Sequence, residues 1–123
     1  AHEALRQGRD HIEVWGSGTP RREFLHVDDC ADALVHLLKQ YAAEEPVNVG
    51  TGRDIAIADL ARLVSEIAGL SGEPVFDRSK PDGTPRKLLD MSRLTALGWS
   101  PSIELRDGIE STWQWYLQSV GSS

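Results

Sequence analysis

Residues 80–87 carry the side chains with the clearest chemical potential in this sequence, which reads KPDGTPRK at that point. Two prolines fix the backbone φ angle, and Gly83 permits conformations that other residues resist. A stiff loop loses little entropy when it grips a ligand. The loop offers three cations, including Lys87, beside the carboxylate of Asp82. Their combination favours a binding loop over a solvated connection.

A second segment with similar equipment lies at residues 15–24, which read WGSGTPRREF. An aromatic face together with arginine forks is suited to a base and its phosphates. Trp15 could stack on a base, or it could be a core tryptophan at the end of a strand. Arg22 and its neighbouring arginine could bind phosphate oxygens, or they could form a weak surface ion pair with Glu23 or Asp28.

The composition limits the classes of function. The 123 residues are 40% hydrophobic and 26% charged, as in an ordinary globular domain. The net charge of −6 argues against general nucleic-acid binding, because the phosphate backbone would repel the chain. No apolar run of membrane-helix length and no signal-peptide pattern occurs, so we expect a soluble, cytoplasmic protein without a membrane partner. The lone Cys30 excludes an internal disulfide and favours a reducing compartment.

The remaining polar residues do not form a recognisable reaction centre. The four histidines lack metal-ligand spacing, and the acidic cluster at 28–32 is explained more simply by helix capping. The pairs Gly16-x-Gly18 and Gly50-x-Gly52 are too short for a dinucleotide fingerprint. We therefore predict no catalytic, cofactor-binding or metal-binding residue in this chain.

Strands that alternate with helices predict an α/β fold with short connections. The expected helices are the end of one at 1–9, one capped by Asp28 or Asp29, one closed by Gly69, one from Asp90 to Leu97, and one at 105–118. The apolar face of the second comprises Ala31, Leu34, Val35, Leu38 and Tyr41, that of the third Leu60, Leu63, Val64 and Ile67, and that of the last Ile109, Trp113, Tyr116 and Leu117. The expected extended segments are 12–15, 24–27, 47–50, 74–77 and 87–90.

Several motifs together resemble a known family over residues 1–118. They are VWGSGTP at 14–20, REFLHVDD at 22–29, NVGTG at 48–52 and SKPDGTPRKLLD at 79–90. The chain is similar to the nucleotide-sugar epimerases of the extended short-chain dehydrogenase/reductase family, also described as the NAD-dependent epimerase/dehydratase family. The 22–29 motif is shared widely among them. The proline loop is narrower and resembles the branch that makes GDP-L-fucose.

The resemblance implies a fold, an activity and a set of site residues. The fold would be the C-terminal substrate-binding portion of a Rossmann-type enzyme, a small α/β domain with the last strand and helix of the parallel sheet. Residues 1–120 would form this portion and 121–123 a disordered tail. The activity would be NADPH-dependent 3,5-epimerisation and 4-reduction of GDP-4-keto-6-deoxy-D-mannose. Trp15, Arg22, Asp82 and Lys87 would line the GDP-sugar site.

Departures from the family pattern shape the remaining expectations. The glycine-rich NADP motif, the Ser…Tyr-x-x-x-Lys set and the epimerisation Cys and His of such enzymes precede the region covered here. We therefore expect NADP(H) to be bound mainly by an absent half, this chain alone to be inactive, and the complete enzyme to be a homodimer. Cys30 does not match the epimerisation cysteine. Ala56 stands where relatives often carry a capping Thr, a loss of about 1 kcal/mol.

Two other interpretations stay open at the level of sequence. The chain could be the substrate domain of another nucleotide-sugar epimerase or dehydratase, with a different base or sugar. It could also be a stand-alone, non-catalytic module that binds a nucleotide sugar.

Overall fold

The computed structural model describes residues 1–121 as a chain of five helices and four short strands. The helices are α1 (His2–Arg6), α2 (Val27–Gln40), α3 (Ile57–Ala68), α4 (Ser92–Ala96) and α5 (Leu105–Ser119). The strands are β1 (Glu13–Trp15), β2 (Arg21–Arg22), β3 (Ile55–Ala56) and β4 (Val75–Asp77). Ser122 and Ser123, most of the predicted disordered tail, lie outside the described residues. No helix of the described part is long and apolar enough to cross a bilayer.

The strands form two separate pairs. β1 and β4 are parallel, with Val14 opposite Phe76, and this confirms the predicted strands at 12–15 and 74–77. β2 and β3 are antiparallel, and Arg21 also forms a parallel bridge with Arg86. The predicted α/β class is therefore confirmed for this piece of chain.

Three of the predicted extended segments, 24–27, 47–50 and 87–90, form no strand in the described chain. An extended segment becomes a strand only through a hydrogen-bonding partner, and beside the third segment there is only the single bridge between Arg21 and Arg86. The ladder forms earlier, at β2, because β3 and the 85–87 segment flank it there. Val47 and Val49 instead place their side chains against the apolar core.

The start of α2 also differs from the prediction that Asp28 or Asp29 caps it. His26 is the N-cap residue, and its Nδ1 accepts a hydrogen bond from the Asp28 N–H at 3.0 Å. Asp29 is buried and accepts three hydrogen bonds from a distant segment, from the N–H and hydroxyl of Ser102 and the N–H of Ile103 (2.9–3.1 Å). Its carboxylate therefore ties the chain before α5 to α2 rather than capping a helix.

The apolar face predicted for α2 points away from the core. Leu38 is 85% exposed, and Leu34 and Val35 are about half exposed, whereas Ala33 is fully buried. The opposite side of α2 contacts the core and is also bound by a hydrogen bond, which Trp99 Nε1 donates to Asp32 at 2.9 Å. Helical spacing correctly identified a shared face but not what covers it.

The core of the described chain lies between α2 and α4. Ala33, Leu94 and Trp99 form the buried cluster. Partly buried apolar residues surround it, namely Leu25, Leu37, Val47, Val49 and Met91. A core this small leaves the loops to be fixed by polar contacts, since burial of a few side chains gives limited stabilisation.

The remaining helices follow the predictions closely at their ends. The N-cap residue of α3 is Ala56, which makes no side-chain capping bond, and the C-cap residue is Gly69 in the left-handed conformation, as expected. Asp90 accepts a hydrogen bond from the N–H of Ser92 at the start of α4. α5 covers the expected residues, but only Gly108 in it is buried, and Tyr116 is exposed rather than buried.

Asp29→Ala is expected to lower the free energy of unfolding by about 2 kcal/mol, because three donors at 102–103 lose a charged acceptor. Burial raises the pKa of Asp29, but its hydrogen bonds outweigh this and lower the pKa overall. The stabilisation should thus be complete near pH 6 and decline below about pH 4. The free energy of unfolding in urea, measured near pH 6 and below about pH 4, tests this. The control is Asp28→Ala, which removes the exposed neighbouring carboxylate. Equal losses in both variants would contradict it.

Gly18→Ala is expected to destabilise the protein more than Gly98→Ala. Both glycines have a positive φ, of +79° and +88°. An added Cβ at Gly18 would lie 2.6 Å from Phe76 and 2.9 Å from Ala58, whereas at Gly98 nothing lies within 4 Å. Gly98→Ala should therefore carry only the backbone penalty, about 1 kcal/mol, and Gly18→Ala roughly 2 kcal/mol more. Equal thermal unfolding of the two variants would refute this.

Candidate functional site

The two loops singled out by sequence are joined through one carboxylate. Asp82 accepts hydrogen bonds from the Ser17 N–H at 2.8 Å and from its hydroxyl at 2.7 Å. These bonds, the hydroxyl bond foremost, lower the pKa of Asp82, so the group is ionised at neutral pH. An added Cβ on Gly16 would collide with the same carboxylate. Loop 80–83 is thus held against the turn that follows β1.

Trp15 is an exposed ring at the end of β1. It is 71% exposed, so the alternative of a core tryptophan is wrong for the described chain. Lys80 Nζ lies 5.1 Å from the ring centroid, within the range of a cation–π contact. The ring is therefore supported by the proline loop while much of its surface faces solvent.

A cleft of about 180 Å³ opens between the loops. It is lined by Trp15, Gly18, Pro20, Arg22, Ile57, Pro81, Asp82 and Gly83. Three of the four predicted site residues therefore share one cleft, although Asp82 lies 60 positions after Arg22 in the sequence. It combines a ring face, a guanidinium and a carboxylate on a partly apolar floor.

Arg22 has the freedom that a ligand-binding arginine needs. Its Nη1 donates to the carbonyl of Arg21 at 2.7 Å, and no carboxylate lies within ion-pair distance of it in the described part of the chain. The alternative of an ion pair with Glu23 or Asp28 is therefore wrong. Gly83 has its α-carbon beside the guanidinium, since an added Cβ would lie 3.0 Å from Arg22 Nη2.

Lys87 is the predicted site residue that the structure does not bring into the cleft. Its backbone N–H donates to the Arg21 carbonyl at 3.3 Å, while its exposed side chain is not among the cleft lining. Lys87 is thus a neighbour of Arg22 through the main chain.

Sequence reasoning missed two carboxylates that organise this region. Glu23 accepts backbone hydrogen bonds from Thr51, Gly52 and Leu89 at 2.6–3.0 Å. Asp54 accepts from Arg21 Nε at 3.0 Å and from Arg86 Nε at 2.6 Å. The Gly-Thr-Gly turn, rich in free N–H groups, is a signal for the first. Nothing local in the sequence signals the second, because its partners lie more than 30 positions away.

Two larger cavities lie outside the cleft between the two loops. One, of about 350 Å³, is bounded mostly by apolar side chains of α5 and by Phe24, and one, of about 530 Å³, lies between Arg53, Trp99 and Glu104. Neither contains any of the four predicted site residues. The smaller cleft has the stronger chemical case, because a ring, a guanidinium and a carboxylate converge there. Among residues 1–121, no three side chains of His, Cys, Asp or Glu are grouped as metal ligands.

The chain is similar to known proteins over nearly its whole length. Residues 1–50 match the model of the NAD dependent epimerase/dehydratase family. Over 97% of its length the chain is 56% identical to a putative GDP-L-fucose synthase 2 of Arabidopsis thaliana and 53% identical to GDP-L-fucose synthase 1 of the same plant. It is 50% identical over 96% of its length to the GDP-L-fucose synthase of Escherichia coli. It spans 36%, 37% and 40% of these three relatives.

Solved structures give the same picture of the fold. A GDP-L-fucose synthetase from Naegleria fowleri bound to NADP matches 99% of this chain at a TM-score of 0.91 and 27% identity, over 39% of its own length. UDP-glucose 4-epimerase from Thermotoga maritima matches 96% of this chain at a TM-score of 0.83 and 27% identity, over 38% of its own length. Residues 1–50 thus match the NAD dependent epimerase/dehydratase family, and nearly the whole chain is similar to the GDP-L-fucose synthases.

Proposed function

We propose that this chain forms the GDP-sugar-binding part of an enzyme that makes GDP-L-fucose from GDP-4-keto-6-deoxy-D-mannose. The reaction of the whole enzyme would be NADPH-dependent 3,5-epimerisation and 4-reduction. The observation that carries the proposal is the single cleft shared by Trp15, Arg22 and Asp82. Identity of about half to GDP-L-fucose synthases, spread over nearly the whole chain, supports it.

Charge assigns a part of the ligand to each polar residue. Arg22 has no carboxylate partner in the described chain, and its guanidinium suits two oxygens of a diphosphate at once. Asp82 keeps acceptor capacity beyond the two bonds from Ser17. An ionised carboxylate only accepts, so it would bind an N–H of the base or a sugar hydroxyl.

Trp15 would supply apolar contact. Base–aromatic stacking contributes roughly 1–3 kcal/mol. Lys80 is positioned over one part of the ring, so the base or sugar would take the remaining exposed surface. The ammonium group also adds positive charge near the expected diphosphate.

Lys87 would act at longer range than the other three residues. Its side chain is exposed and carries a flexible four-carbon stem, and its backbone is bonded to Arg21, next to Arg22. It would therefore contribute charge to the diphosphate without shaping the cleft. We expect its removal to weaken binding less than removal of Arg22.

The described residues do not fit NADP(H). A dinucleotide's phosphates need free backbone N–H groups at a glycine-rich turn that leads into a helix. The N–H groups of Thr51 and Gly52 are already bonded to Glu23, and that of Ser17 to Asp82. We therefore propose that the cofactor is held elsewhere in a longer protein, and we assign no catalytic residue to this chain.

The wider organisation follows from the same proposal. Residues 1–120 would be the C-terminal portion of the enzyme, a small α/β domain together with the last strand and helix of a parallel sheet, and the complete enzyme would be a homodimer. The exposed apolar face of α2, with Leu34, Val35 and Leu38, supports a covering surface from the rest of the protein. The segment 47–50 lacks a neighbouring strand in the described chain, so it could join such a sheet once a partner is present.

A second candidate is the substrate domain of an enzyme that acts on another nucleotide sugar. The likeness to a UDP-glucose 4-epimerase structure, at a TM-score of 0.83, favours keeping it. The two candidates differ in the base, because guanine offers ring N–H and amino donors to an acceptor such as Asp82.

Titration of the chain with GDP is expected to show binding that UDP does not match. Arg22→Ala should weaken it about tenfold or more through loss of the charged fork, and Lys87→Ala by a smaller factor. Calorimetry is the measurement, and Arg62→Ala, which removes an exposed arginine paired on α3, is the control. Equal binding of GDP and UDP would favour the second candidate. Undiminished binding by Arg22→Ala would contradict the assigned site.

Leu38→Glu is expected to reduce self-association of the isolated chain. The reason is that a charge in the exposed apolar face of α2 would disfavour burial of that face in a second copy. Sedimentation velocity over a concentration series measures the effect. Val120→Glu, at the end of α5, adds the same charge to another exposed apolar side chain and is the control. A monomeric unaltered chain at every concentration would argue against a surface that needs covering.

A further inference from the structure

Asp54 lies where three segments of backbone meet, directly before β3. Its Oδ1 accepts from Arg21 Nε at 3.0 Å in β2, and its Oδ2 accepts from Arg86 Nε at 2.6 Å in the proline loop. Each carboxylate oxygen thus takes one guanidinium from a different segment. No other carboxylate in the described chain is bonded to two arginines from two separate segments.

The Asp54 carboxylate is buried, whereas its two arginine partners are partly exposed. The Asp54 side chain is 6% exposed, while those of Arg21 and Arg86 are 45% and 59% exposed. Burial raises the pKa of Asp54, but the hydrogen bonds from the two arginines outweigh it and lower the pKa. The carboxylate is therefore a permanent negative charge near neutral pH, enclosed by the two groups that neutralise it.

The segments that Asp54 joins carry the residues of the cleft. Arg21 immediately precedes Arg22, and Arg86 follows Asp82 by four residues in the same stiff loop. The backbones are also bonded, from the Arg21 N–H to the Pro85 carbonyl at 2.9 Å and from the Lys87 N–H to the Arg21 carbonyl at 3.3 Å. Any shift of loop 80–87 along β2 would change the separation of Arg22 and Asp82.

The backbone bonds alone are a weak hold. β2 and β3 have two residues each, and such short pairs are marginal without further packing. Packing of the Arg21 and Arg86 side chains adds little, because they are 45% and 59% exposed. Charge-assisted bonds to a buried carboxylate are stronger than neutral ones, so the bonds from Arg21 and Arg86 to Asp54 reinforce the pairing of the loop with β2.

We propose that Asp54 is a positioning residue of the GDP-sugar cleft, which clamps Arg21 and Arg86 so that Arg22 and Asp82 face one ligand. This inference rests on the proposed function. Asp54 would not contact the ligand, and Arg21 and Arg86 would act through the backbone they hold. The clamp also withholds two cations from the diphosphate, so Arg22, the arginine in the lining of the cleft, would bind it.

The test compares Asp54→Asn with the unaltered chain in two measurements. Without ligand, amide hydrogen exchange at Arg21, Lys87 and loop 80–83 should become at least several-fold faster, while α3 and the α2–α4 core keep their rates. With ligand, GDP affinity by calorimetry should fall about tenfold. Asp54→Glu retains the charge and should recover part of that affinity. Asp59→Asn removes a carboxylate from an exposed Asp–Arg pair on α3 and should change neither quantity.

The outcomes separate this inference from the proposed function. Unchanged exchange at the loop in Asp54→Asn would overturn the clamp, whether or not GDP binds. Faster exchange with unchanged or tighter GDP binding would also overturn the positioning role, because the freed arginines would then act only as added charge. If the unaltered chain does not bind GDP, the proposed site fails in this chain, and faster loop exchange would still support the clamp. Should Asp54→Asn fail to fold, Arg86→Gln, which leaves the Arg21 pair intact, is expected to loosen the loop in the same direction, and an unchanged loop there would overturn the clamp.

Discussion

The backbone of β2 is the constraint on which the cleft depends. Arg21 and Arg22 pair with Ala56 and Ile55 on one side, and Arg21 bonds to the 85–87 segment on the other. Two residues therefore connect segments from three distant parts of the sequence. Because successive side chains of a strand point to opposite sides, Arg21 can reach Asp54 while Arg22 faces the cleft. The order of the two arginines thus places one side chain on Asp54 and the other in the lining of the cleft.

Carboxylates fix several loops by accepting hydrogen bonds, because the apolar core is too small to hold these loops by packing. Glu23 holds the 51–52 turn and Leu89, Asp29 holds 102–103, and Asp82 holds Ser17. Most of the donors are backbone N–H groups that would otherwise need water or a regular element. This explains how a chain with few fully buried side chains positions long irregular segments. It also explains why acidic residues of an acidic chain are not simply solvated.

The sequence predicted the elements well where the signal was local and poorly where it depended on a partner. α3 with its Gly69 end, and the parallel strands around Val14 and Phe76, follow from nearby periodicity and turn residues. The segment 47–50 has strand-like composition but no strand beside it, and a strand is defined by its neighbour. For α2, the spacing identified the face that contains Leu34 and Leu38. The spacing could not predict that this face is exposed, because exposure depends on which other segments pack against the helix.

The candidate site shows the same division. Trp15, Arg22 and Asp82 were identified from residue type and motif, and the fold brings them together in one cleft. Lys87 lies outside this lining although it belongs to the same loop as Asp82, and the composition of the loop does not reveal that difference. Asp54 was invisible in sequence because its meaning arises only from the long-range contacts with Arg21 and Arg86.

The positive charge of the two segments around the cleft favours an anionic ligand. Segments 15–24 and 80–87 together contain five cations in a chain of net charge −6. Two of them, Arg21 and Arg86, are ion-paired to Asp54, whereas Arg22, Lys80 and Lys87 have no ion pair in the described part of the chain. A local excess of unpaired positive charge attracts a diphosphate even when the protein as a whole repels anions, because screening limits the reach of distant charges to about 8–10 Å. The acidic surface of the rest of the chain then disfavours long polyanions that extend beyond the cleft.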